Sequence, residues 1–376
     1  MLRNLAATAL LLCLGLGLGL GLWAAPAAAA REITDQAGRR VSVPDDPRRI
    51  VCLAPGALRL VVYLEAQNRV VGIEDLEKRH PRGRPYFLAH PELGDLPRIG
   101  PGGPASINRK PDMEAALSVR PDLIFVTYME RDLADEVQAG LNVPVVVLSY
   151  GDFAAFDERV FDALRLAGEI LGQTERAEAV VDFIQDARRD LADRTEGVPP
   201  TERPDVYIGA VGFKGTQGIE STHADYTPLN WVNARNLARR GGHDGHRFVD
   251  REALLAWNPP VIFIDGGGKH HVAADARRKP AFYQTLQAVR NGRVYGLFPF
   301  NWYVVNIGTA IADAYAAGKI LQPDRFADID IPGKADAIYT FLVGAPVYEA
   351  MRDSYGELGA ELHLPPPESG PKHSLP

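Results

Sequence analysis

Residues 111–126 read PDMEAALSVRPDLIFV, and residues 249–264 read VDREALLAWNPPVIFI. Aligned on their glutamates, at an offset of 138 residues, Asp112 meets Asp250, Ala115 meets Ala253, Leu117 meets Leu255, Pro121 meets Pro259, Ile124 meets Ile262 and Phe125 meets Phe263. Each copy sets an acid at the head of a short apolar helix, then a proline turn, then an apolar run suited to a buried strand. One offset that satisfies so many positions in so short a window points to two lobes of similar build. In an α/β unit the helix runs opposite to the strand it feeds, so Glu114 and Glu252, about two turns before the prolines, are expected toward the carboxyl edge of each sheet, where ligand loops gather. A single acid in a first helical turn only complements the helix dipole, at about 0.3–1 kcal/mol. A matched pair in two lobes points to docking.

The sequence around this pair has the same alternating character. REITDQAGRRVSVP (residues 31–44) alternates about a Gly38 turn, as an edge hairpin does. From there to Tyr150 the runs RIVCLA, RVVGIE, DLIFVTY and VPVVVLSY alternate with helical stretches, the signature of a mostly parallel sheet. From Phe153 to Thr195 apolar residues recur at three- and four-residue steps without proline, which predicts two helices divided at Gly168 and Gly172. Strand patterns return at DVYIGAVG, VIFID and RVYGLF. The expected organisation is a leader over residues 1–30, an N-terminal α/β lobe over 31–152, connector helices over 153–195, a C-terminal α/β lobe over 196–360 and a disordered tail over 361–376.

The leader is read from Arg3, a Leu/Gly/Ala run and the small residues of AAPAAAA, with cleavage expected after Ala30 and the mature chain working in the periplasm. Leu12 precedes Cys13 where a lipidated cysteine needs a small residue, so no lipid anchor is expected. Roughly 345 residues then remain with Cys52 as their only cysteine, so stability must come from the apolar core of two lobes and not from a disulfide. The net charge of −7 is spread with both signs interspersed, which excludes a nucleic-acid binder.

The chain resembles the solute-binding proteins of ABC importers for iron-siderophore, haem and cobalamin, whose two Rossmann-like α/β lobes are joined by one long helix. ITDQAGRRVSVPDDPRRIV, DMEAALSVRPDLIF, RLAGEILGQTERAEAVVDFI, FVDREALLAWNPPVIFID and NGRVYGLFPFNWY carry the resemblance, in that order and over nearly all of the mature chain. It implies a ligand cleft between the lobes, no enzymatic activity and no resident cofactor. It also implies an inner-membrane permease dimer, with its ATPase subunits, as partner. Glu114 and Glu252 would pair with permease arginines. Pro259-Pro260 stands where that family usually has Pro-Asp.

The cleft should be lined by loops that leave the strands' carboxyl ends, together with RIGPGGPASIN (residues 98–108). These loops are rich in aromatics and glycine, as suits a broad, partly apolar ligand. Tyr128, Tyr150, Phe213, Trp302 and Tyr303 are the expected contacts, with Arg131, Lys214 and Lys269 for an anionic group and His223 and His270 as cleft histidines. No histidine spacing matches a metal-site pattern. DGGGKH lacks the hydroxyl residue of a phosphate loop, though its glycine amides could still nest an oxyanion. The expected cargo is a ferric siderophore or similar metal chelate, with cobalamin, haem, molybdate or tungstate, or a bare zinc or manganese ion as alternatives. No nucleophile–base constellation, HExxH or GxSxG pattern points to an enzyme.

Overall fold

The computed structural model describes residues 30–152 and 154–365. The leader, apart from Ala30, lies outside the described residues, as do Phe153 and the chain beyond 365. The hairpin forms as read: β1 (Ala30–Thr34) pairs antiparallel with β2 (Arg40–Pro44) across a turn with Gly38 at φ 72. It is a separate two-stranded sheet, pinned to the first lobe by polar contacts. Buried Asp35 pairs with Arg39 at 3.1 Å and accepts from the Val147 amide, while Arg39 donates to the Val145 carbonyl.

The four apolar runs of the first lobe become β3 (Ile50–Leu53), β4 (Val70–Gly72), β5 (Leu123–Thr127) and β6 (Val145–Leu148), all parallel in the order β4-β3-β5-β6. The second lobe adds β7 (Asp205–Gly209), β8 (Ser221–His223), β9 (Arg235–Asn236), β10 (His246–Phe248), β11 (Val261–Asp265) and β12 (Val294–Leu297). Its parallel sheet runs β12-β11-β7-β9, and β8 with β10 forms a small antiparallel pair. The repeated segment feeds β5 in one lobe and β11 in the other, both interior strands.

The alternation of side chains across each sheet divides the apolar interior into three bodies. Ile50, Cys52, Leu123, Phe125, Val146 and Leu148 from the first sheet join Val206, Ile208, Val261, Phe263 and Leu297 from the second in one core shared by both lobes. The intervening residues face private cores: Val51, Leu53, Ile124, Val126, Val145 and Val147 in the first lobe, Tyr207, Ile262, Ile264 and Val294 in the second. Cys52 lies in the shared core, where burial pushes its thiol pKa far up and keeps it inert.

The connector is two helices, Arg159–Leu171 and Thr174–Thr195. The second, at 22 residues, is roughly 33 Å long. Only one of the two glycines divides them. Gly172 ends the first helix in the left-handed region at φ 67, whereas Gly168 lies inside it, where a Cβ would sit 2.5 Å from that of Ala177. Its role is close helix approach. Residues 154–158 form a turn instead of the helical start the periodicity suggests, and the Phe156 amide there donates to Thr227 Oγ1 of the second lobe.

The late helical patterns form as Ile307–Leu321, Ile331–Val343 and Tyr348–Tyr355, the last two parted at Gly344. Ile331–Val343 packs against first-lobe helices Ala57–Tyr63 and Pro85–Ala89. The chain past 360 remains ordered at its start: the Leu362 amide donates to the Val294 carbonyl beside β12.

Candidate ligand cleft and docking helices

The loop after β12 crosses from the second lobe into the first. Tyr303 Oη donates to Glu74 Oε2 at 2.5 Å and accepts from the Gly103 amide at 3.0 Å, while the Arg84 guanidinium lies 5.1 Å from the centre of its ring. Fully buried Arg59 reaches the other way and donates to the carbonyls of Val305 at 2.8 Å and Tyr303 at 3.0 Å. Tyr303 and Val304 sit at φ 59 and 64, a conformation costly for side chains of their size. Arg59, together with Asn306 Nδ2 on the carbonyls of Phe300 and Trp302, holds them there. The other oxygen of Glu74 accepts from the Ala54 amide, and burial pushes the Glu74 carboxyl up to about 7. Trp302 stands edge-on to His80, with its indole N–H buried and without a hydrogen-bond partner.

Beside this latch lies a cavity of about 290 Å³ at the carboxyl ends of β3 and β5. Leu53, Val126, Thr127 and Met129 form its floor, Gly100 to Gly102 and Glu74 one wall, and Asn108 to Asp112 the other. Gly102, at φ 64, is required: a Cβ there would lie 2.7 Å from that of Glu74. Lys110 is engaged with Glu136 at 2.6 Å. Arg109 has no ionic or hydrogen-bonded partner among the described residues and lines the cavity from its exposed side. The sequence drew the preceding loop into the cleft but gave no sign of Arg109, since an unpaired cation becomes visible only when its neighbours are placed.

The matching edge of the second lobe is closed by its own chain. A Cβ on Gly268 would lie 2.3 Å from the Gln217 carbonyl oxygen and 2.6 Å from that of Ala210, so the glycine turn after β11 is packed and not an open nest. Asp265 accepts from the Gly267 amide at 2.9 Å and from Tyr226 Oη at 3.4 Å, and burial raises its pKa to about 7. Neighbouring Asp313, also fully buried, accepts from the Phe298 amide, and burial holds its carboxyl well above the usual carboxylate range. Lys269 Nζ donates to the Tyr355 carbonyl at 3.0 Å, and burial lowers its pKa. His270 is exposed, its ring 4.0 Å from that of His271.

The remaining expected contacts scatter. Tyr150 is buried and donates to the Gly56 carbonyl at 3.0 Å, its ring filling the space that Gly56 leaves. Tyr128, at φ 55, is half-buried between cavity residues Thr127 and Met129. Arg131 is the exposed first residue of helix Arg131–Leu141. His223 lies in β8 and not in a loop. Its Nδ1 accepts from the Asp225 amide, and burial lowers its pKa to about 4, leaving the ring neutral. Phe213 stacks on His246 at 4.1 Å and meets Phe248 edge-on at 6.3 Å, with Lys214 Nζ 5.5 Å from the Phe213 ring. Among the described residues no group of three or more His, Cys, Asp and Glu is arranged to hold a metal ion.

The two repeats build two equivalent helices, Met113–Ser118 and Arg251–Trp257. Asp112 caps the first by accepting from the Ala115 amide at 3.0 Å, and Asp250 caps the second by accepting from Ala253 at 2.7 Å. Glu114 and Glu252 follow two residues later and are exposed. Asp112 borders the same cavity as Thr127, which places the start of the first helix at the carboxyl edge, as the repeat geometry predicts.

The profile of the family described as periplasmic binding protein matches residues 50–299. The molybdate-binding protein MolA of Haemophilus influenzae is 26% identical over 340 residues, covering 83% of this chain and 91% of that one. The structure of MolA bound to molybdate superimposes with a TM-score of 0.66 at 24% identity, covering 84% of this chain and 98% of that one. A periplasmic solute-binding protein of Veillonella parvula superimposes at 0.69 with 18% identity, covering 87% and 97%. No helix among the described residues is long and apolar enough to cross a membrane.

Proposed function

The chain belongs to the periplasmic binding protein family, and from that premise we propose that it captures a compact oxyanion of the molybdate class beside Arg109 and presents it to the permease of an ABC importer. The carrying observation is the cavity itself. At about 290 Å³ it is at the lower limit of pockets that hold drug-sized ligands, a size that suits a compact ligand better than a macrocycle or a ferric siderophore. Its walls offer glycine backbone, the Asn108 side chain and one unpaired guanidinium, donors suited to a small anion. MolA, named for molybdate binding, adds support. Glu74 is compatible with an anion nearby because burial favours its neutral form up to about pH 7.

The test is titration calorimetry with sodium molybdate, a ferric catecholate and haemin in parallel. One molybdate per chain with no heat from the chelates is the expected result; tight chelate binding without molybdate binding would overturn it. One feature favours the ferric chelate first read from the sequence: Trp302 keeps a half-exposed ring and an unpartnered indole N–H in the crossing loop. A wider opening of that loop would give a chelate an aromatic face, and the same titration decides.

Glu114 and Glu252, exposed at matching helix starts in the two lobes, are the proposed anchors for basic groups on the permease. Binding and delivery, with no chemical conversion, is the work of this family.

A further inference from the structure

Three large hydrophobic residues are exposed among the described residues: Leu117 at 40%, Phe213 at 41% and Phe248 at 56%. Apolar side chains at the surface are common singly, so their number says little, but their placement is not scattered. Leu117 stands three residues after Glu114 on helix Met113–Ser118, and therefore on the same helical face. Phe248 ends β10, four residues before Glu252 and two before the Asp250 cap. Phe213 joins it edge-on at 6.3 Å, and His246, stacked on Phe213 at 4.1 Å, completes a three-ring cluster. His246 is fixed by Ser221 Oγ at 2.8 Å, and burial lowers its pKa.

We propose that Leu117 and the Phe213–His246–Phe248 cluster are the apolar anchors of the permease-docking surface, one beside each docking glutamate. The inference rests on the docking reading of Glu114 and Glu252. Exposed carboxylates gain little from a partner arginine in water and are screened by salt, so two of them steer and orient an encounter but do not hold a complex. Lasting contact comes from apolar and aromatic groups that lose their water at the centre of an interface. In each lobe such a group lies within four residues of the acid along the chain. The fitting partner is a protein surface with two basic sites, each next to an apolar recess.

The test uses the full chain and its cognate permease–ATPase complex in lipid nanodiscs, with binding kinetics at low and high salt. Leu117→Ser and Phe248→Ser should each speed dissociation about five- to tenfold while leaving the salt dependence, the thermal melting and the affinity for sodium molybdate unchanged. Glu114→Ala and Glu252→Ala should instead slow association and flatten the salt dependence. Phe248→Leu, which keeps an apolar contact, should restore most of the residence time. Wild-type dissociation in both serine variants, with association still slowed in the glutamate variants, would overturn the inference and leave the docking reading standing. If neither pair alters docking, both fall. Binding of the wild-type chain to empty nanodiscs that Phe248→Ser abolishes would also overturn it, by assigning the patch to lipid.

Discussion

The two lobes share a scaffold and differ at the rim. Both carry an aspartate-capped helix running into an interior parallel strand, and both bury a carboxyl near the carboxyl edge, Glu74 in one and Asp265 in the other, each raised to about 7. In the first lobe that edge opens on a cavity with an unpaired arginine; in the second it is filled by the chain's own glycine turn. The second lobe contributes instead the crossing loop, with Tyr303 reaching Glu74, and the exposed aromatic cluster. The repeat therefore accounts for position, and the loops between repeats set the difference: one half leaves its rim open beside an unpaired cation, the other fills its rim and reaches across to Glu74.

The strongest test of this comparison treats the halves alike. Reversing both acids, Glu114→Lys with Glu252→Lys, should reduce transport into membrane vesicles by about a hundredfold or more with ligand affinity intact, because buried or clustered like charges across an interface cost several kcal/mol. Undiminished transport would remove the docking role. Next in size is a difference between halves: Arg109→Ala should weaken molybdate binding about tenfold or more, whereas Lys269→Ala, whose ammonium is engaged by the Tyr355 carbonyl, should change it less than about twofold. Equal losses from the two would erase the asymmetry.

A smaller effect is expected at the latch. Tyr303→Phe removes the hydroxyl shared by Glu74 and the Gly103 amide and leaves both buried groups short of a partner, a loss of about 1–3 kcal/mol in denaturant unfolding.

The most diagnostic effect is that of pH. A carboxyl whose folded pKa lies above its unfolded value stabilises the fold fully only below the unfolded value, near 4.5 for Glu74, and that contribution is lost as pH rises through about 7. Thermal stability should therefore fall between pH 5 and 8. Glu74→Gln should remove part of that slope, up to on the order of 3 kcal/mol, and Asp265→Asn another part. Anion affinity should also rise as pH falls through 7, in the wild type but not in Glu74→Gln. A flat profile in the wild type would contradict both expectations.

Much of this architecture is legible in the sequence because burial leaves a periodic trace. The runs around Cys52, Phe125, Val146 and Phe263 are strands buried on both faces, and they read as continuous apolar segments. The capped repeat is legible because aspartate, glutamate and proline each carry a local backbone meaning. What escapes is decided by contacts distant in sequence. Gly168 looks like a helix break until Ala177 is seen against it. Tyr150 and Tyr303 look like free cleft aromatics until Gly56 and Glu74 accept their hydroxyls. His223 sits in a three-residue strand too short and polar to show a period.

The helix Ile331–Val343 lies across helices Ala57–Tyr63 and Pro85–Ala89, and Arg176 of the connector donates to the carbonyls of both Tyr63 and Phe341. The half that is synthesised first is thus roofed by a segment synthesised almost last. An amino-terminal fragment lacking that roof would expose part of the common interior, so the polypeptide should stay unfolded until nearly all of it has been made.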